Sequence, residues 1–279
     1  MRRRPVFLIT VLGFGFAFFY IPILSMMVYS FNASRLATVR GGFSTKWQVS
    51  LMSNDKVGEA LILSLKIAVV SATAATIPGT KAGIALVRFG NFRRRMLFSG
   101  LVSTPLIVPE VITGISSLIM VFLMAQGKGW PGSRGFTTIL LAHVTLFVVC
   151  GTTIVQSRMA EAGWAIKEAA MDLESRPWQL LLDGMLPVIF PAILSGTFLD
   201  FTISADDVVI TSFTTGPGSD TLALLLWSKV KLGVSPDISA LATLIVLAVG
   251  AAVAVSGWMM NRAGACRGAD ARLACRANA

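Results

Sequence analysis

The chain has 279 residues, of which 54% are hydrophobic and only 14% charged, against about 45–50% and roughly 25% in a soluble domain. So thin a polar shell excludes a water-facing globule, and makes lipid the solvent for much of an all-α integral membrane protein. The 24 Lys and Arg outnumber the 14 Asp and Glu, for a formal charge of +10, yet Arg2, Arg3 and Arg4 and likewise Arg93, Arg94 and Arg95 abut apolar runs, a pattern of membrane anchoring that argues against nucleic acid as a partner.

A spanning helix needs about 20 mostly apolar residues. Six stretches qualify: Val6–Tyr29, Glu59–Val87, Leu97–Met124, Thr137–Gln156, Leu186–Phe213 and Ile238–Met260. The first is too long for the apolar region of a cleaved signal and no Ala-x-Ala exit follows it, so it reads as a retained signal anchor. Ser30–Val57, polar and containing Trp47, reads as a long first external loop. Pro78 and Gly79 predict a kink in the second span, and Lys81 is placed to snorkel to the cytoplasmic interface. Arg88–Arg95 is a short basic turn. In the third span Pro105 and Pro109 free backbone carbonyls that only a polar cavity tolerates. Gln126–Phe136, rich in Gly and Pro, reads as a second external loop.

Ser157–Met185 differs from these loops, being long and charged with both signs. Good helix formers predict a helix over Glu161–Leu173. Pro177 disfavours helical geometry at Arg176 and suits the first turn of a second helix. The expectation is two short helices with a bend at the inner face. Acidic residues there outnumber Lys167 and Arg176, so anionic headgroups would repel the segment, and a docking element for another protein is favoured over an interfacial helix. Lys and Arg are denser on the side that holds the N-terminus, which places both termini in the cytoplasm.

Glu168-Ala169-Ala170-Met171-Asp172-Leu173, followed by Leu186-Pro187, resembles the EAA signature of binding-protein-dependent ABC importer permeases. Pro105–Gly114, Leu141–Thr145, Asp206–Phe213, Gly216-Pro217-Gly218 and Gly233–Ile245 resemble the polyamine branch, most of all the second permease subunit of putrescine/spermidine importers. The resemblance implies the six-helix type I (MetI-like) permease fold in a bacterial inner membrane. It divides the chain into an N-terminal helix and loop (1–58), a core of five helices with a coupling loop at 157–187 (59–260), and a cytoplasmic tail (261–279). It implies a second, homologous permease as heterodimer partner, a cytoplasmic ATPase dimer carrying ATP and Mg, and a periplasmic polyamine-binding protein; this chain itself holds no cofactor. ATPase coupling is assigned on the same ground to Glu168, Ala169, Ala170, Asp172, Glu174, Leu186 and Pro187. Glu174 stands where the family has glycine, which supplies a turn at no steric cost; either the bend moves to Arg176–Pro177 or coupling is weakened. Permeases for iron, thiamine or sulfate, or a membrane subunit that transports nothing, are the alternatives.

Charges inside spans cost about 2.5–3.5 kcal/mol each on insertion scales, so each is a functional hypothesis. The candidates are Glu110, Asp200, Asp206 and Asp207, with Lys66 and Lys81 of opposite sign. A polyamine needs carboxylates or carbonyls at intervals for its ammonium groups. Glu110, Asp206 and Asp207 are therefore placed on the pathway, with Phe213 and Trp227 as cation–π partners. The competing reading has Asp206 and Asp207 capping the fifth span or pairing with Lys229 or Lys231. Asp200 reads as structural, satisfied by a single lysine, and His143 as a satisfied packing residue. Cys150, Cys266 and Cys275 lack metal or redox spacing. There is no phosphate-cradling GxxxxGK[ST] loop, nucleophile elbow or HExxH, so no catalytic or metal residue is assigned.

Overall fold

Apolar periodic segments fold as helices throughout the computed structural model, which describes residues 6–34, 39, 41–88, 93–172, 180–233, 236–251 and 254–255. Arg2–Arg4, Glu174, the Arg176–Pro177 bend, Cys266, Cys275 and the tail 261–279 lie outside the described residues, as do the side chains of residues 162–172. Five described helices are long and apolar enough to cross a membrane, and two more, Arg95–Ile107 and Pro236–Ala251, are apolar but shorter. The helices fall into two compact units, residues 1–55 with 229–279, and residues 56–228.

In the first unit, α1 (Val6–Ser30) carries no charge in its terminal turns and none of its apolar window is buried. The loop after it is ordered by Asn32. Its Nδ2 donates to the Val39 carbonyl at 2.6 Å and its Oδ1 accepts from the Gly41 amide at 2.7 Å. Phe31 stacks on Phe43 at 5.4 Å. A short helix follows, α2 (Lys46–Met52), tied back by Trp47 Nε1 donating to the Asn32 carbonyl at 2.9 Å and Gln48 Nε2 donating to Ser30 Oγ at 2.7 Å.

The second unit is built on α3 (Asp55–Arg88) and α6 (Phe136–Asp172). One stripe of α3 is buried and small: Ser64, Ala68, Ser71, Ala72, Ala75, Gly79 and Gly83. A Cβ on Gly79 would stand 3.1 Å from the Val148 carbonyl, and one on Gly83 2.9 Å from Val155 Cβ. Only bare backbone lets the two helices approach so closely, as small residues do wherever spanning helices pack without a hydrophobic drive.

The expected third span is two helices, α4 (Arg95–Ile107) and α5 (Glu110–Lys128). They part at Val108, which is extended (φ −76, ψ 133) because Pro109 clashes with a helical predecessor and offers no amide. The separate helix expected over Glu161–Leu173 is instead the end of α6, which runs unbroken for 37 residues; with no proline before Pro177, the helix formers simply continue the span. After a π-helical turn over Leu180–Met185, α7 (Leu186–Asp206) ends earlier than the span expected to reach Phe213. Asp207 turns extended (φ −65, ψ 124) and a short helix, α8 (Val209–Thr214), restarts the chain. The helix α9 (Leu222–Leu232) follows, and the apolar helix Pro236–Ala251, here α10, belongs to the first unit.

Candidate functional site

At one end of the second unit, Val155 and Met159 of α6 are buried against Met185 and Ile189, with Ile84, Val87, Leu180, Leu181, Leu186 and Ile193 packed around them. This cluster joins α6 at Val155 and Met159 to the start of α7; Glu168, Ala169, Ala170 and Asp172 lie further along α6, their side chains outside the described residues. Pro187 occupies an early position of α7, where its missing amide is harmless, and it is exposed. Leu186 is half-buried in the cluster. Glu174 lies outside the described residues.

Asp206 and Asp207, though adjacent, have separate settings. Asp206 ends α7 and is exposed. Asp207 caps α8: its Oδ2 accepts from the Thr211 amide at 2.7 Å and from the Thr211 hydroxyl at 2.8 Å. The same oxygen lies 3.3 Å from His143 Nε2. Nε2 also lies 3.2 Å from Thr211 Oγ1. His143 is 1% exposed, and its Nδ1 lies 2.9 Å from Ser204 Oγ, itself 3.2 Å from Ser71 Oγ. A carboxylate can only accept, so Nε2 carries the proton shared with Asp207 and Nδ1 accepts from Ser204 in the neutral tautomer. A buried polar chain thus ties α3, α6, α7 and α8 together. Ser71 and Ser204, polar residues on buried stripes, were the sequence signal for it.

Removing the cap should be measurable. Asp207→Ala leaves the first amides of α8 without their acceptor and His143 with the Thr211 hydroxyl alone, and a lost cap costs about 1 kcal/mol. The expected fall in Tm of the detergent-purified complex is about 2–4 °C, with Asp207→Asn recovering part of it. An unchanged Tm would contradict the capping role.

Glu110 opens α5 at the proline break and is exposed. One turn on, Gly114 receives the Phe213 ring, whose Cδ2 stands 2.6 Å from where a Cβ would be. Residues four apart share a helix face, so Phe213 of α8 packs along the same side of α5 that carries Glu110. Trp227 lies on α9 and is exposed. Sequence reasoning missed the crevice of about 550 Å³ bordered by Lys56, Glu59, Lys66 and Asp220. Its wall is fixed by the Leu222 amide donating to Ser64 Oγ at 2.7 Å.

Asp200 departs from expectation. It is fully buried on α7, and neither carboxylate oxygen has a hydrogen-bond partner among the described residues. The single lysine expected to satisfy it is not among its described contacts.

A model of the family described as "Binding-protein-dependent transport system inner membrane component" matches residues 79–263. The chain is 46% identical over 260 residues to the putrescine transport system permease protein PotI of Escherichia coli (strain K12), across 93% of this chain and 92% of that protein. It is 38% identical over 232 residues to the spermidine/putrescine transport system permease protein PotC of the same organism, across 83% and 85% respectively. Its fold superposes on the crystal structure of a bacterial ABC transporter involved in the import of the acidic polysaccharide alginate. The TM-score is 0.66 at 15% identity, covering 94% of this chain and 98% of that one; at that identity the likeness concerns fold alone.

Proposed function

The chain belongs to the family of inner membrane components of binding-protein-dependent transport systems, and from that premise we propose that it is the permease subunit of an ATP-driven importer of putrescine or spermidine. The carrying observation is the 46% identity to a putrescine permease along 93% of the chain. The chain is a membrane component and no enzyme. ATP and Mg belong to a separate ATPase dimer at the inner face, the second half of the pathway to a homologous permease, and delivery of the solute to a periplasmic polyamine-binding protein. Both termini lie in the cytoplasm.

The proposed cycle is alternating access. ATPase closure pushes on Glu168–Asp172, Glu174 and the Leu186-Pro187 start of α7, and the apolar cluster around Met159 and Ile189 hands the displacement to α3, α6 and α7. On the solute side, Glu110 and Asp206 are exposed carboxylates suited to ammonium groups, and Phe213 and Trp227 supply aromatic faces for the charge and the methylenes. Asp207 contributes indirectly, by holding α8 and Phe213 in place. A sulfate cargo is disfavoured, since sulfate would want basic residues or helix N-termini where these carboxylates stand.

The test is uptake of radiolabelled putrescine and spermidine by a polyamine-transport-null cell carrying this chain with its neighbouring operon subunits. Energy-dependent accumulation is expected; accumulation of thiamine, iron or sulfate instead would overturn the proposal. Asp206→Asn should raise KM for putrescine about tenfold, because a charge-assisted hydrogen bond contributes about 1.5–3 kcal/mol. An unchanged KM would remove Asp206 from the pathway.

A further inference from the structure

Between α3, α6 and α7 lies a cavity of about 10 Å³ bordered by Thr76, Thr80, Gly151, Val155, Gly196, Thr197 and Asp200. Room of that size holds one water-sized body. Asp200 is 0% exposed, and both its oxygens are without donors among the described residues. Neighbouring hydroxyls do not help it. Thr76 Oγ1 stands 2.7 Å from the Ala72 carbonyl, Thr197 Oγ1 stands 2.9 Å from the Ile193 carbonyl, and the two hydroxyl oxygens are 2.7 Å apart. Two hydroxyl protons serve these three contacts, one hydroxyl donating to the other at 2.7 Å and the remaining proton going to a carbonyl, so neither reaches Asp200. The pocket is therefore rich in oxygen acceptors and contains no described donor aimed at the Asp200 carboxyl.

We propose that Asp200, with the hydroxyl oxygens of Thr76, Thr80 and Thr197, forms a binding site for a single dehydrated monovalent cation of sodium size. Hard cations take oxygen ligands of this kind. A divalent ion is disfavoured: calcium wants six to eight oxygens and magnesium keeps several waters, for which one carboxylate and this volume do not suffice. A proton serves only one of the two carboxylate oxygens, whereas a cation contacts both. The terminal ammonium of a polyamine would bring its methylene chain, which a one-water cavity does not admit. The site pins three helices of the second unit together and is separate from the solute pathway proposed above.

The experiment uses the assembled importer in lipid nanodiscs, with sodium-22 binding read directly and Tm compared in NaCl and choline chloride of equal ionic strength. Wild type should show saturable sodium-22 binding that excess putrescine leaves in place, and a Tm higher by about 3 °C in sodium. Asp200→Asn should weaken binding by about tenfold or more. Gly151→Ala is a second variant that the fold tolerates, since its new Cβ would stand 3.8 Å from Asp200 Oδ2 and 3.9 Å from Gly79 Cα. By narrowing the cavity it should also lower affinity. Equal Tm in sodium and choline with no sodium-22 bound by wild type would overturn the proposal. So would a wild-type Tm that responds to pH alone, marking a protonated Asp200, or displacement of the sodium by putrescine.

Discussion

Glu168→Lys is expected to bring energy-driven putrescine uptake down by about a hundredfold or more while the chain still inserts and assembles. A charge reversed within a docked interface costs about 2–5 kcal/mol, and a hundredfold loss corresponds to about 2.8 kcal/mol, inside that range. The same unbroken helix that carries Glu168 carries His143. At 1.5 Å per residue, its 37 residues form a rod about 55 Å long. Displacement at the elbow therefore arrives at the His143–Asp207 chain without an intervening hinge. Uptake assays, immunoblots of the membrane fraction and ATPase rates of the purified complex measure the three effects separately. Normal uptake by this variant would contradict the coupling role of the elbow.

The second large effect is on folding. Gly83→Leu should abolish most of the recoverable complex, because even the first added carbon would stand 2.9 Å from Val155 Cβ and 3.0 Å from the Thr152 carbonyl. Overpacking costs about 1–3 kcal/mol where side chains can move; a backbone carbonyl of a packed helix cannot, so a loss at or above that limit is expected. Gly83→Ala should fall between Leu and wild type. Gly58 and Gly100 have nothing within 4 Å of their would-be Cβ atoms, and alanine there should be neutral or stabilising by up to about 1 kcal/mol. Yields and Tm values after size-exclusion chromatography decide the matter: equal losses at Gly83 and Gly100 would dismiss the close-approach argument.

Hydropathy located the spans well, because apolar run length is itself the physical requirement for crossing lipid. The single third span expected over Leu97–Met124 missed the break between α4 and α5, although Pro109 carries its local signal, a missing amide and a restricted predecessor. Errors arose where local signals conflicted with side-chain chemistry. The run Val208–Phe213 is as apolar as the span before it, so nothing in hydropathy stops α7 at Asp206; the stop comes from Asp207 capturing the Thr211 amide. The hydrogen bond between His143 and Asp207 joins residues 64 apart and is invisible to any local window. Asp200 was misjudged for the same reason, as its lack of a partner is a property of three packed helices. The signature around Glu168–Asp172 was legible as a motif, while its place at the end of one long helix was not.

The first helix of the chain has a consequence for how its sequence can drift. Phenylalanines, leucines and glycines are spread around its circumference and none of its apolar window is buried within this chain, while its last residue, Ser30, is buried and held by Gln48. Within this chain, apolar exchanges ahead of Ser30 therefore disturb no buried contact of the described residues. One arginine at its midpoint, by contrast, would meet hydrocarbon at a cost of about 2.5–3.5 kcal/mol.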